Sequence, residues 1–250
     1  MTIELLSLRA LVVSPDEGLR DLFRQAAASL SVPVEIIDVA SAAECRSATG
    51  IGVDLAYLDA ALHLAELARA TAALRAVGKP PFTVQLAASA STQSFETDGL
   101  AGRPSRFEEA KWLLERSMRV RLPSQVLIVD DSATMRSIVR KTLASTRFPL
   151  EVSEADAGFT AIKLVREAEF HIVFLDYNMP DFSGLETLAE FKREQRRVNV
   201  VMMTSTPSAE LADRARSLGA AFLKKPFFPA DIEAVLSSFY GLRALNPKRA

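Results

Sequence analysis

Residues 126–139 read VLIVDDSATMRSIV: four apolar residues, two adjacent aspartates, then a segment with apolar residues at helical spacing. Val126–Val129 is short, apolar at every position and closed by charge. A strand covered on both faces reads this way. Met135, Ile138, Val139 and Thr142 recur at i, i+3, i+4 and i+7 and predict one stripe of an amphipathic helix. The unit repeats downstream. Val152–Ser153, Ile172–Leu175, Val200–Met203 and Ala221–Leu223 are further short apolar runs, with helical segments between them. The last helical stripe is Ile232, Val235, Leu236 and Phe239. Strand alternating five times with helix predicts an α/β fold, a five-stranded parallel sheet with helices on both faces.

The first half carries the pattern again, more weakly. Leu11–Val13, Val34–Ile37, Leu55–Leu58 and Phe82–Leu86 read as strands, and Leu19, Leu22, Phe23, Ala26 and Leu30 as a helix face. ALVVSPDEGLRDLF (residues 10–23) lies over residues 126–139 without a gap, and AYLDAAL (56–62) lies over VFLDYNM (173–179), putting Asp59 on Asp176. The spacing changes by a single residue between the two matches, so the chain is an internal duplication. Its 250 residues suit two domains at roughly 100–200 residues each. They are expected at 1–120 and 124–240, with a short tail at 241–250. A helix from Ser105 to about Val120 should meet the next strand near Pro123.

Composition narrows the function. Lys plus Arg is 30 and Asp plus Glu is 31, a balance that does not suit the neutralisation of many phosphates. No nucleic-acid partner is expected. A single cysteine, Cys45, excludes an internal disulfide framework. Two histidines, His63 and His171, cannot build a histidine-rich metal centre. No apolar run approaches the ~18 residues of a membrane span, and the first residues lack the pattern of a signal peptide. The expectation is a cytoplasmic chain with no membrane partner.

The chemistry concentrates at strand ends. Asp130 and Asp131 close the first strand of the second half, Asp176 the third and Thr204 the fourth, and Lys225 follows the fifth. In a doubly wound parallel sheet these carboxyl ends share one edge, where ligands bind. Three carboxylates brought together repel one another, and the cluster makes sense when a hard divalent cation such as Mg²⁺ holds it. A nearby ammonium and hydroxyl complete an inventory that suits phosphoryl transfer, with an aspartate able to carry an acyl phosphate. A lone aspartate at a strand end is ordinarily a solvated turn residue; the convergence of five such groups is what speaks against that here.

Ser124 to Tyr240 resembles the receiver domain of bacterial two-component response regulators, of the chemotaxis-regulator type. The motifs are Val-Asp-Asp-Ser at 129–132, Leu-Asp-Tyr-Asn-Met-Pro at 175–180, Met-Thr-Ser at 203–205 and Lys-Lys-Pro-Phe at 224–227. The resemblance implies a flavodoxin-like (βα)5 domain in which Asp176 accepts a phosphoryl group from a phosphohistidine. It implies Mg²⁺ at Asp130, Asp131, Asp176 and the backbone carbonyl of Asn178. Thr204, with Ser205 beside it, and Lys225 would meet the phosphoryl group, and Phe222 stands at the position of the family's rotating aromatic switch. Neighbouring strand residues point to opposite faces, so Lys224 should be solvated when Lys225 enters the site. Phe222 also reads as a plain core residue.

Residues 9–120 resemble the same domain with its chemistry removed. Ser14 and Pro15 stand where the acid pair stands, and Ala87 where the threonine stands. Asp59 keeps the acceptor position, and Arg103 precedes Pro104 as Lys225 precedes Pro226. Asp59 then reads as a charged relic paired with Arg103. Five residues are missing around Ser89–Asp98, so the fourth helix of this half should be shortened or lost. Trp112 falls off the helical stripe of Phe107, Ala110, Leu114 and Met118 and reads as exposed or as a rim residue.

The expected function is a response regulator taking its phosphoryl group from a sensor histidine kinase or histidine phosphotransfer protein. It would signal through a downstream protein, without a DNA-binding output, and a homodimer stays open. A phosphorelay intermediate or phosphate sink is the alternative. An aspartyl-phosphate phosphatase is the weaker one, because Asn178 stands where the haloacid dehalogenase family needs an aspartate.

Overall fold

The computed structural model describes residues 8–50, 52–87, 97–194 and 198–242. The chain divides into two compact units. One takes in the described residues up to Arg121 and those from Ser237; the other is Leu122–Leu236.

In the first unit the order is β1 (Leu8–Val13), α1 (Glu17–Ala28), β2 (Val34–Val39), α2 (Cys45–Thr49), β3 (Leu55–Asp59), α3 (Leu64–Arg75), β4 (Phe82–Ala87), β5 (Gly99–Gly102) and α4 (Phe107–Ser117). The sheet is β2-β1-β3-β4-β5, parallel throughout. The expected change in the fourth helix of this half falls on residues 88–96, outside the described residues. The helix expected from Ser105 to Val120 is α4 followed by a separate 3-10 turn at Met118–Val120.

The second half repeats the order: β6 (Ser124–Val129), α5 (Ala133–Ala144), β7 (Leu150–Ala155), α6 (Gly158–Glu167), β8 (Ile172–Asp176), α7 (Gly184–Arg193), β9 (Asn199–Thr204), α8 (Ala209–Ser217), β10 (Ala221–Lys224) and α9 (Pro229–Phe239). Its sheet runs β7-β6-β8-β9-β10, again parallel. Both halves are therefore flavodoxin-like receiver folds in tandem. In each, the first and third strands are neighbours with their carboxyl ends in register, Val13 opposite Leu58 and Val129 opposite Leu175. The order in which strands are added reverses on the two sides of that pair, which opens the crevice where such sheets bind ligands.

Burial explains which strands the sequence exposes to view. Val126–Val129 and Ile172–Leu175 are covered on both faces. Leu127, Val129, Val173, Leu175, Val200 and Met202 join one cluster with Ile162, Val165, Leu188 and Phe191 of α6 and α7. Each fully buried side chain of this kind contributes about 1.5–3 kcal/mol. The edge strand β7 instead alternates between half-buried and exposed positions, and its apolar signal is correspondingly thin.

The stripe on α5 differs from the expectation. Val139 and Leu143 are its buried residues, while Ile138 is 46% exposed. The helix is turned because Arg136 lies inward, its side chain only 16% exposed and bonded to the sheet.

Candidate functional site

Four of the five strands of the second sheet present a polar group at the same edge. Asp130 follows β6 and is buried; Asp176 ends β8 and is buried; Thr204 ends β9 and is fully buried. Lys225 follows β10, and its backbone N–H donates to the Thr204 carbonyl at 2.7 Å. The Lys225 ammonium donates to Asp130 Oδ2 at 2.7 Å and to Asp176 Oδ1 at 2.8 Å. The peptide before Pro226 is cis. Lys224 is exposed, on the opposite side of the strand.

Asp130, Asp131 and Asp176 each offer a carboxylate oxygen, all within 4.8 Å of one another. Among the described residues no other group of carboxylates, histidines and cysteines is so placed. Asp131 is the exposed member and leaves the cluster open to solvent. Three carboxylates against one ammonium leave an excess of negative charge that matches a hard divalent cation, and their oxygens are the ligands such an ion prefers. Burial, above all, and the Asp130 charge raise the Asp176 carboxyl above its ordinary range, against the pull of Lys225. For Lys225, burial works to lower the ammonium, but bonds to the two carboxylates outweigh it and the net direction is up. A cation bound among the three carboxylates would favour the ionised Asp176.

The remaining positions fall around this cluster. Asn178 is exposed two residues beyond Asp176, and Ser205 is exposed beyond Thr204. Thr204 Oγ1 accepts from the Thr206 N–H at 3.2 Å, and a hydroxyl that accepts still has a proton to donate. Phe222 is half-buried and packs against the core cluster. The loop after Asp176 is fastened at its far end. Asp181 accepts from the Gly158 and Phe159 N–H groups at 3.3 and 3.0 Å. Ser183 and Glu186 form a capping box on α7. Gly184 begins α7 against the backbone of Asp176 and Tyr177: a Cβ there would overlap the Asp176 carbonyl oxygen and lie 2.9 Å from Tyr177 Cα.

The first unit assembles the corresponding positions differently. Asp59 ends β3 with no exposed surface. Its Oδ1 accepts from Arg103 Nε at 3.0 Å and from the Ala61 N–H at 3.0 Å. Its Oδ2 accepts from Ser14 Oγ at 2.6 Å and from Arg103 Nη2 at 3.2 Å. Four bonds occupy the four lone-pair positions of a carboxylate. Arg103 also donates to Asp16 Oδ2 at 2.6 Å. That bond is the main reason the Asp16 carboxyl sits below its ordinary range. Asp16 caps α1 through Gly18 and Leu19. Pro15 is exposed and supplies no ligand. Of the other residues singled out by sequence, Trp112 is 50% exposed, Cys45 is buried and His63 is exposed at the N-cap of α3.

Sequence reasoning missed one constellation. Arg136 Nε donates to Glu154 Oε2 at 2.9 Å and Nη1 to the Asp130 carbonyl at 2.8 Å; Arg140 Nε donates to Glu154 Oε1 at 2.7 Å. In the first unit Arg20 bonds Asp38 at 3.1 Å and the Ser14 carbonyl at 2.6 Å, and Arg24 bonds Asp38 at 2.7 Å. All four residues correspond at one constant spacing, so extending the gap-free alignment of residues 10–23 to Asp38 would have shown this signal.

Residues 126–237 match the family model described as the response regulator receiver domain. The chain is 31% identical over 119 residues to chemotaxis protein CheY-3 of Vibrio cholerae, covering 46% of this chain and 91% of that protein. It is 34% identical over 119 residues to the two-component response regulator ORR11 of Oryza sativa, covering 46% of this chain and 80% of that one. A solved structure titled as a probable two-component system response regulator/GGDEF domain protein covers 93% of this chain and 97% of its own. It does so at a TM-score of 0.52 and 22% identity, which speaks to the fold. The similarity in sequence spans nearly the whole of the chemotaxis protein, and on that ground the chain belongs to the response regulator receiver family.

Proposed function

We propose that this protein is a phosphorylatable response regulator whose chemistry lies wholly in the second unit. The domains are read as 1–120 and 124–240, with 241–250 a tail. Asp176 is the phosphoacceptor and Mg²⁺ the cofactor, held by Asp130, Asp131, Asp176 and the carbonyl of Asn178. The observation that carries the reading is the Lys225 ammonium bridging Asp130 and Asp176 beside the exposed Asp131.

A carboxylate oxygen of Asp176 forms the new P–O bond while the P–N bond of a phosphohistidine breaks and the imidazole leaves with its electron pair. Bound Mg²⁺ supplies positive charge to the phosphoryl oxygens. Lys225 adds a second cation at the same edge, and its two present bonds hold it within reach of Asp176. Thr204 lies one strand away with a hydroxyl proton to give. Once the phosphoryl group draws in Thr204 and Lys225, the phosphorylated form has contacts the free form lacks, as any population shift requires. Phe222 and Ser205 are the neighbours that would respond.

Output is contact with a downstream protein; the donor is a histidine kinase or phosphotransfer protein. The protein's own turnover is limited to taking up and losing its phosphoryl group. The first unit is a degenerate receiver. Arg103 and Ser14 hold Asp59 as Mg²⁺ and a phosphoryl group otherwise would, so it neither binds metal nor accepts phosphate.

The test is intact mass after incubation with Mg²⁺ and a small acyl phosphate. One phosphoryl group is expected on the wild type, none on Asp176→Asn and one on Asp59→Asn. Label on Asp59 in the Asp176→Asn protein would overturn the assignment of an inert first unit. An unlabelled wild type would overturn the acceptor itself.

A further inference from the structure

We infer that Arg136 is a positioning residue for the metal-binding acid pair, a step that rests on the reading of Asp130, Asp131 and Asp176 as ligands. Asp130 is held at every polar atom. Its N–H donates to the Ala155 carbonyl at 3.2 Å, and its carbonyl accepts from Arg136 Nη1 at 2.8 Å. Its Oδ1 accepts from the Ser132 N–H at 2.9 Å and its Oδ2 from Lys225 at 2.7 Å. Asp131 is the opposite case: it is exposed, and its carboxylate has no hydrogen bond among the described residues. With no bond to hold its carboxylate, what fixes the place of Asp131 is the backbone that carries its Cβ. That backbone begins with the peptide group whose oxygen Arg136 grips.

The grip is itself braced. Arg136 is 16% exposed and Glu154 29%. Arg140, chiefly, and Arg136 hold the Glu154 carboxyl below its ordinary range, so the brace stays ionised. A guanidinium presents its donors in a rigid plane. With Nε fixed on Glu154, Nη1 is aimed at the 130–131 segment, donating to the Asp130 carbonyl at 2.8 Å and reaching the Asp131 carbonyl at 3.5 Å. Mg²⁺ demands near-ideal octahedral geometry, so a rotation of the 130–131 peptide that swings Asp131 misplaces a ligand the ion cannot follow.

The first unit provides an internal control. Arg20, braced on Asp38, grips the Ser14 carbonyl in the same way, yet the residue after Ser14 is Pro15, with no carboxylate to aim. The clamp's contribution to folding is common to both halves; its contribution to a metal site exists only in the second.

The test is Mg²⁺ titration of the full chain by calorimetry, with amide exchange at Ser132 in metal-free protein as a second readout. Arg136→Gln should weaken Mg²⁺ binding about 10- to 100-fold, the range for partners that orient metal ligands, and should speed exchange at Ser132. Arg136→Lys should recover part of the affinity through a single donor. Arg20→Gln should leave Mg²⁺ affinity unchanged at a similar cost in thermal stability. Should Arg136→Gln not fold, Glu154→Gln, which removes the brace but keeps the guanidinium, should show the same directions at smaller size. Wild-type affinity in either folded variant, or a loss in Arg20→Gln equal to that in Arg136→Gln, would overturn the inference alone. A wild type that binds no Mg²⁺ would overturn the parent reading and this one with it.

Discussion

Asp59 and Asp176 occupy the same place in two copies of one fold and meet opposite surroundings. Asp59 is saturated by Arg103, Ser14 and a backbone N–H; Asp176 shares one ammonium with Asp130. Removing one member of a buried ion pair leaves an uncompensated charge, at a cost of about 3–5 kcal/mol. Arg103→Ala should therefore destabilise the first unit by about 3 kcal/mol, the low end, because Arg103 is a quarter exposed. Chemical denaturation that leaves its midpoint unmoved would refute this. Asp176 predicts the reverse sign. Its carboxyl is raised in the folded protein, so the folded state holds more protons than the unfolded one above the ordinary carboxylate range, and stability falls as pH rises through that window. Without metal, Asp176→Asn should be more thermostable than wild type at neutral pH. The gain should shrink as the pH falls to 3.8 and below. Equal melting temperatures at both pH values would contradict it. The motif residues were legible because each needs a distinctive side chain at a strand end. Arg136 was not, since an arginine on a helix ordinarily reads as a solvated charge.

Elements differ in how plainly the sequence announces them, and the reason is burial. β6, β8 and β9 are covered on both faces and appear as unbroken apolar runs. β7 alternates because one face is open. β5 is Gly-Leu-Ala-Gly, with no strand-forming run at all, and forms because β4 pairs with it from Val84–Gly99 to Ala87–Gly102. The close seat of α7 was equally invisible, since a glycine opening a helix reads as a turn. Gly184 is there because the helix begins against the carbonyl of Asp176. Gly184→Ala places its Cβ against backbone, which cannot rotate out of the way, and over-packing of this kind costs about 1–3 kcal/mol. The expected result is a folded, less stable protein in which α7 is displaced and phosphorylation of Asp176 is slowed. Unchanged labelling kinetics at unchanged stability would show that the seat is not tight.

At the scale of the whole molecule, the duplication keeps the frame and divides the chemistry. Sheet order, the arginine clamp and the strand-end geometry recur in both halves; among the described residues a cluster of three carboxylates occurs in one. A ligand that binds the native state protects the segments it contacts in proportion to its concentration over its dissociation constant. Mg²⁺ with beryllofluoride, a stable phosphoryl mimic, should therefore slow amide exchange selectively. The segments expected to respond follow Asp130, Asp176 and Thr204 and run through Ser205–Leu218 and Phe222, because Thr204 and Lys225 gain partners there. The loops after Ser14 and Asp59 should exchange at the same rate with and without the mimic, since Arg103 already fills their site and no carboxylate pair invites the ion. Asp131→Ala should abolish the protection, and Thr204→Ala should reduce it in Ser205–Leu218 while leaving the loop after Asp130 protected. Protection appearing at Asp59 would mean that Arg103 can be displaced and that the first half retains a working site. Protection confined to the metal loop, in the wild type as in Thr204→Ala, would make the second half a phosphoryl carrier with no change of surface to offer a partner.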